Sequence, residues 1–477
     1  MHRLGKLVFL IMKKGFQTDD GIRLHPLPAD RQEGILLLLA GIARTVALGF
    51  LIAFPQRAFV AGDGADYWTL SYALIHSLSL SFPSPDLLQT AFTRTPGYPL
   101  FLAVIRMACP LSETADIIAV GIVQSMLSMW IILLVYRLAR KAWENAAPGW
   151  LLPVFALFAL DPGFAVFGCL IMTEILFAFL WVLSAVFLFN AFQEAHHGRK
   201  RYGSAMVASL ILALATLVRP IGQFMILPMA VAIAWFFYKK RDMRSALNIS
   251  LLSVVIFCLP LLLWAGRNWV KGGPFTLSSV PSVNLLLYAE ELEHPEHSGD
   301  EIWASVKKTA DQIRQETDTP AEWYRQMAKQ GKERLRARPG ALVKAILHGC
   351  LETALAPPYA LFRFGGWSDE EIVPVSSFSE IADGFRNQPF QTVLRISLMA
   401  ETAILILLAA FFVLTSKRIW CDAWLLTVLC WAGMHTLLSA LSGGGRMRIP
   451  VLAWIILFAS GFCISGFRLK AVWCKEG

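Results

Sequence analysis

Repeated apolar stretches of membrane-spanning length constrain this sequence more than any other feature. A hydrocarbon core about 30 Å thick takes roughly 20 apolar residues as a helix. Runs of that kind lie near 35–54, 117–136, 148–166, 168–190, 204–218, 221–238, 247–265, 391–415, 420–440 and 449–467. The chain is 56% hydrophobic and only 16% charged, against about 25% charged for soluble proteins. A chain of 477 residues with so little charge cannot cover itself with a polar surface in water, so lipid is its solvent. The predicted class is an all-α polytopic membrane protein of about ten spans, with eleven to thirteen as the outer range. The segment 341–358 stands apart from these runs. It is apolar but holds Lys344, His348 and Glu352, and it reads as interfacial or half-buried. Arg219-Pro220 sits in the tight join between two runs and predicts a helical hairpin.

Short loops set the orientation. Arg137, Arg140 and Lys141 follow the second run, and Arg199, Lys200 and Arg201 the fourth. Lys239, Lys240, Arg241 and Arg244 follow the sixth, Lys417 and Arg418 the eighth, and Arg468, Lys470 and Lys475 the last. With ten spans, all of these fall on the side of the basic N-terminal tail. Lys/Arg-rich loops are cytoplasmic, so both termini are expected inside. This distribution also accounts for much of the +9 net charge, and no nucleic-acid partner is needed. The N-terminal apolar stretch from Leu7 to Met12 is short and runs into Lys13-Lys14. It does not read as a cleaved signal, and the first span is expected to be an uncleaved anchor.

The organisation that follows is a tail (1–34), a transmembrane module (35–265) containing a first outer loop (55–116), an outer region with amphipathic helices (266–390), and a C-terminal transmembrane module (391–477). No internal repeat is evident. The eight cysteines (Cys109, Cys169, Cys258, Cys350, Cys421, Cys430, Cys463 and Cys474) form no CxxC pair. They predict neither a disulfide framework nor a metal site.

Topology brings scattered polar residues to one face. Asp63 and Asp66 follow the first span, with Tyr67 four residues after Asp63. Arg94 precedes Pro96-Gly97-Tyr98-Pro99. Asp161 and Glu174 lie toward the outer ends of the third and fourth runs, Arg219 caps the fifth, Arg267 and Asn268 end the seventh, and Arg446 and Arg448 begin the last. Arginines supply planar bidentate donors for phosphate, and a carboxylate can accept a proton from an acceptor hydroxyl or amine. Each residue also has a bland reading. Asp63 and Asp66 suit a wet interface, and Arg219 and Arg267 complement helix C-termini. Trp68, Trp264, Trp269 and Trp367 suit an interfacial belt. Glu174, inside a span, is harder to dismiss. In "SGGGRMRIP" the glycines allow close approach of a ligand, Pro450 suits a first helical turn, and exposed N–H groups are expected to offer an anion site.

The ordered segments "GDGADYWTLSYAL", "TRTPGYPLFLA", "VQSMLSMWIILLVYRLAR", "LDPGFAVFGCLIMTEILFAFL", "LVRPIGQF", "WAGRNW" and "GGRMRIP" resemble the GT-C superfamily, near bacterial relatives of the protein O-mannosyltransferases and the lipid A aminoarabinose transferase. The resemblance runs from about residue 35 to 460. It implies a GT-C-like helical bundle and a catalytic acid at Asp63, with Asp66 as the fallback. It places functional residues at Thr173-Glu174, Arg219-Pro220 and Arg267-Asn268. The chain departs from the pattern at Asp161, where relatives often carry tyrosine, and at Met447, where an aromatic is common. The resemblance implies a polyprenyl-phosphate-linked sugar donor, an envelope lipid, glycan or protein acceptor, and inversion by direct displacement. Donor phosphate is expected at Arg267, Arg446 and Arg448, with Arg94 or Arg219 as further partners. Some superfamily members use a divalent metal and others do not; too few carboxylates cluster here to argue for one. The expected location is a bacterial inner membrane with the active site on the periplasmic face. A transporter or flippase for a lipid-linked sugar, and an envelope scaffold subunit, are the alternative readings.

Overall fold

The computed structural model describes residues 29–80, 92–109, 112–143, 151–196, 203–368, 378–442 and 444–473. In order, the helices are α1 (Arg31–Ala53), α2 (Gly64–Ser77), α3 (Gly97–Ala108), α4 (Glu113–Ala142), α5 (Leu151–Leu160), α6 (Pro162–Phe167), α7 (Glu174–His196), α8 (Gly203–Val218), α9 (Ile226–Lys239) and α10 (Met243–Val270). They continue as α11 (Val280–Glu293), α12 (Gly299–Gln315), α13 (Pro320–Arg336), α14 (Pro339–Leu355), α15 (Tyr359–Gly365), α16 (Phe378–Asn387), α17 (Pro389–Thr415), α18 (Lys417–Cys421), α19 (Ala423–Ser439) and α20 (Leu452–Trp473). No strand occurs among the described residues.

Among the described residues seven helices are long and apolar enough to cross a membrane: α1, α4, α7, α9 with the 3-10 turn before it, α10, α17, and α19 with the turn after it. Helices α3, α5, α8 and the start of α20 are apolar but shorter. The molecule is an all-α polytopic membrane protein. Helix α7 is almost wholly enclosed by the others, whereas α1, α10 and α17 each bury little of their apolar surface. Leu263 and Leu414, for example, are 68% and 78% exposed. Side chains of this kind on a long apolar helix need lipid around them.

Three expectations change. The run 148–166 is not one span, because it breaks between α5 and α6. Asp161 N-caps α6 by accepting from the Phe164 N–H at 2.5 Å, and Pro162 in the first turn has no N–H with which to continue α5. The break leaves the Ala159 carbonyl without an i+4 partner. Arg44, fully buried in α1, donates to that carbonyl and, through Nε, to Ser128 Oγ at 3.0 Å. A cation within a span therefore stitches a broken helix. Second, residues 168–173 are buried but not helical, so Glu174 is the first residue of α7 rather than a turn or more inside it. Third, α10 runs through Val270, which puts Arg267 and Asn268 inside its last turn. The segment 341–358 falls mostly in α14, which is not among the helices long and apolar enough to cross. Arg219-Pro220 opens a 3-10 turn (Pro220–Phe224) between α8 and α9, as the tight join predicts.

Basic loops gather at one end of the bundle. Arg140 pairs with Asp30 at the start of α1, and Arg137 Nη2 meets the buried Glu33 at 2.7 Å. Lys240 Nζ donates to the Ala195 carbonyl at 2.5 Å, and Arg418 lies over Trp143. Arg199, Lys200, Arg201, Lys475 and the N-terminal tail lie outside the described residues. Helix α1, about 34 Å long at 1.5 Å per residue, separates this end from Asp63.

Helices α11, α12 and α13 form a unit with its own core of Val283, Leu286, Ile302, Val306, Trp323 and Met327, joined by Phe92. Helix α12 opens on a capping box: Ser298 Oγ accepts from Glu301 N–H while the Glu301 side chain accepts from Ser298 N–H.

Candidate active site

Asp63 sits at the N-cap position of α2, in the loop after α1. A side chain on Gly64 would meet the Ile171 carbonyl at 2.8 Å, so glycine is what allows this loop to press against the non-helical 168–173 stretch. The Ile171 N–H donates to the Ala58 carbonyl at 2.9 Å, fastening the same two segments. Helix α2 is held from the other side. Trp68 Nε1 donates to Glu113 Oε1 at 3.0 Å, and Arg106 lies over the Trp68 ring while pairing with Asp116. Asp63 and Asp66 are thus displayed from a helix that is pinned along its length.

Arg94 enters on a loop that is bonded on both flanks. Thr95 Oγ1 donates to the Val218 carbonyl, Ser278 Oγ to the Thr93 carbonyl, and the Ser279 N–H to the Phe92 carbonyl. Its guanidinium lies over the Tyr67 ring and donates to both acids: Nη2 to Asp63 Oδ1 at 2.8 Å, and Nε and Nη2 to Asp66 Oδ2 at 3.2 and 2.7 Å. Arg446, from the 3-10 turn Gly445–Arg448, donates through Nη2 to Asp63 Oδ2 at 2.8 Å and through Nε to Glu174 Oε1 at 2.6 Å. Arg219 Nη1 also faces Glu174 Oε1 at 2.8 Å. Glu174 itself is completely buried.

These contacts form one chain of alternating charge: Asp66, Arg94, Asp63, Arg446, Glu174, Arg219. Three carboxylates face three guanidiniums, and Asp63 stands between two of them. Burial alone would raise the Asp63 carboxyl, but Arg94 and Arg446 outweigh it and hold the group well below the usual carboxylate range. Burial raises the Tyr67 hydroxyl, so this ring remains a neutral platform beneath Arg94. Tyr67 also meets Tyr98 edge-on. Tyr98 donates to Gln124 Oε1, and Gln124 Nε2 donates to the Leu170 carbonyl.

The remaining candidates lie elsewhere. Arg448 is two residues from Arg446, which in a 3-10 turn places it on another side. It donates to the Ala354 carbonyl at the end of α14 and falls within the electrostatic reach of Asp161 and Glu401. Arg267 donates to Asn268 Oδ1, and Asn268 in turn holds the Thr276 carbonyl. The arginines expected to share one phosphate are therefore divided. Gly445 also has another use. A side chain on Gly445 would strike the Ala356 carbonyl at 2.0 Å, so the close approach is to the end of α14. The N–H groups of Met447, Ile449 and Val451 donate within the turn, to Gly444, Arg446 and Arg448. These three are engaged within the turn and are not presented to an anion.

Three supporting residues are not among the site residues the sequence predicts. Gln124 carried a signal, being an amide in the middle of an apolar span. Ser278 and Thr95 carried none, because their bonds run to backbone far away in the chain.

A helical membrane bundle with an acid–arginine chain at the end opposite its basic loops is the class of protein these observations define. Residues 93–271 match the family model of dolichyl-phosphate-mannose-protein mannosyltransferase. The match covers less than half of the chain, and over it the sequence is similar to this family. The matched stretch includes Arg94, Glu174 and Arg219; Asp63 and Arg446 join them through the fold. The structure is also similar to the archaeal oligosaccharyltransferase AglB from Archaeoglobus fulgidus in complex with an inhibitory peptide and a dolichol-phosphate. The identity is 13%, the TM-score 0.49, and the coverage 93% of this chain and 51% of that one. For the apo form of the A. fulgidus oligosaccharyltransferase the values are 14%, 0.49, 92% and 52%. The chain spans about half the length of these structures, and no site residue is assigned from them. No curated protein matches the sequence.

Proposed function

We propose that the chain transfers a sugar from a polyprenyl-phosphate donor to an envelope acceptor, with lipid A, another glycan or a protein hydroxyl as the candidate classes. The site is assigned to the periplasmic face of a bacterial inner membrane, with both termini cytoplasmic. The observation that carries this reading is the position of Asp63 between Arg94 and Arg446, each of which also grips a second acid.

Arg94, Arg446 and Arg219 are each committed to a carboxylate. A phosphate competes for Arg446 and Arg94, offering the same bidentate geometry. As it draws them away, Asp63 loses the cations that hold its carboxyl low and becomes a stronger base. Asp63 then takes the proton from the acceptor hydroxyl. The acceptor oxygen bonds to the anomeric carbon from the face opposite the phosphate, and the bond from that carbon to the phosphate oxygen breaks. Its electron pair leaves with polyprenyl phosphate, and the arginines stabilise that developing charge. The anomeric configuration inverts. Arg219 keeps Glu174 neutralised while Arg446 shifts. Arg267 and Arg448 are assigned to the donor's approach or to acceptor contacts.

A divalent cation does not fit this arrangement. Each carboxylate is matched by a guanidinium, and a cation would have to displace one. The mechanism uses none.

The test is the purified protein in nanodiscs with a polyprenyl-phosphate-linked sugar and each acceptor class in turn. Acceptor-dependent release of polyprenyl phosphate is expected. Movement of intact donor across the bilayer without its consumption would establish a transporter instead.

A further inference from the structure

A second polar cluster lies at the C-terminal end of α11, in the four residues His294, Pro295, Glu296 and His297. These form a tight turn, closed by the His297 N–H donating to the His294 carbonyl at 3.1 Å. Proline occupies the second position, where its fixed φ favours the turn. The turn is anchored to the helix, because the His294 N–H donates to the Glu290 carbonyl at 2.9 Å.

This backbone brings three donor atoms together. His294 Nδ1 lies 3.4 Å and His297 Nε2 3.8 Å from the same oxygen of Glu296, and all three ligand atoms fall within 4.8 Å of one another. The two imidazoles stack nearly parallel, with centroids 4.7 Å apart. For charge-assisted hydrogen bonds these separations are long. For ligands of one tetrahedral ion, bonded at about 2.0–2.1 Å, donor atoms stand about 3.4 Å apart. The turn is solvent-exposed, so an ion can enter and water can complete its coordination. Among the described residues this is the only group of three His, Cys, Asp or Glu side chains so converged.

We propose that His294, Glu296 and His297 bind one divalent transition metal ion of the zinc class. Two imidazoles and one carboxylate favour such an ion over calcium or magnesium, which take oxygen ligands. The site has a structural consequence as well. Helix α11 follows directly on Ser278 and Ser279, which hold the Arg94 loop. Through Tyr288 it bonds Ser442 Oγ at 2.5 Å, just before the turn that carries Arg446. Arg334 of α13 grips Glu290 and Glu293 on the same helix. A metal that fixes the end of α11 therefore steadies, about 20 Å along the helix, the element that braces both arginine-bearing loops.

The test is zinc titration of the full-length protein, stripped with chelator in detergent, by calorimetry and thermal unfolding. One zinc per chain is expected, with a raised unfolding midpoint. In H294A/H297A the affinity should fall at least about a hundredfold, since losing even an outer-shell partner of a ligand costs about 10–100-fold and here two of three ligands go, and the zinc-dependent rise in midpoint should vanish. Calcium should not bind at this turn. Zinc binding unchanged in the double variant, absence of a one-to-one site in the wild type, or calcium binding lost in the double variant would each overturn the assignment. The variant's turn is on the surface and its helix capping does not use the imidazoles, so it is expected to fold.

Discussion

Replacing Glu174 with glutamine keeps shape and hydrogen-bonding capacity while removing one charge. In the native network Glu174 is fully buried and faces Arg446 at 2.6 Å and Arg219 at 2.8 Å. Loss of its charge turns three carboxylates against three guanidiniums into two against three. Removing one partner of a buried pair costs about 3–5 kcal/mol, because the other charge is left uncompensated. Arg446 retains Asp63 and a partly exposed side chain, which places the cost toward the lower end of that range. The unfolding midpoint should fall by a few degrees. Transfer should fall further than stability, by about a hundredfold, since Arg446 loses the contact that aims it and small misplacements are costly in catalysis. The control is Glu194→Gln on the same helix, where the carboxylate is likewise buried but accepts from Ser204 far from the site. It should leave transfer unchanged. The assay pairs thermal unfolding in detergent with polyprenyl phosphate release in nanodiscs. Wild-type transfer in Glu174→Gln, or an equal loss in Glu194→Gln, would refute the reasoning.

Other expectations follow from the same contacts. Arg94→Lys keeps the charge but not the fork that spans Asp63 and Asp66, so transfer should drop about tenfold or more; a fully active lysine variant would contradict this. Arg44→Met strips the Ala159 carbonyl and Ser128 of their donor, which should destabilise by about 1–3 kcal/mol while leaving the donor KM unchanged; a changed KM with an unchanged midpoint would reverse that assignment. Asp63, held low by its arginines, is ionised in the donor-free protein at every pH from 5 to 8. A depressed folded-state pKa gives stability that is complete above the unfolded value of about 4 and is lost progressively as pH falls from there through the folded one. The midpoint difference between wild type and Asp63→Asn should therefore be the same at pH 5 and pH 8, and a difference that shrinks at pH 5 would count against it.

Much of this was legible in the sequence, because span length and loop charge are local properties. Asp63, Asp66, Arg94, Glu174, Arg219 and Arg446 could be placed at one end of the bundle by counting spans, and the structure joins these six. The break at Asp161 was not legible, since the apolar run continues across Pro162 and hydropathy is blind to a missing N–H. The separation of Arg448 from Arg446 was hidden for a related reason. Two residues of a 3-10 turn point to different sides, whereas the motif "GRMR" reads as one basic cluster. Gly445 suggested room for a ligand but presses against the end of α14, and only tertiary structure reveals what stands opposite. The turn at 294–297 gave no metal signal by cysteine spacing or clustered acids. Its ligands converge because Pro295 closes the turn.

The central claim is that Asp63 is the base of a sugar transfer in which arginines hold the donor's phosphate. It is tested most directly by measuring donor binding and polyprenyl phosphate release together in purified Asp63→Asn. Donor binding at least as tight as in the wild type is predicted, because the arginines are freed from one carboxylate charge, with release lowered by a thousandfold or more, roughly the upper range for a general base. Release at the wild-type rate, with binding intact, would contradict the account.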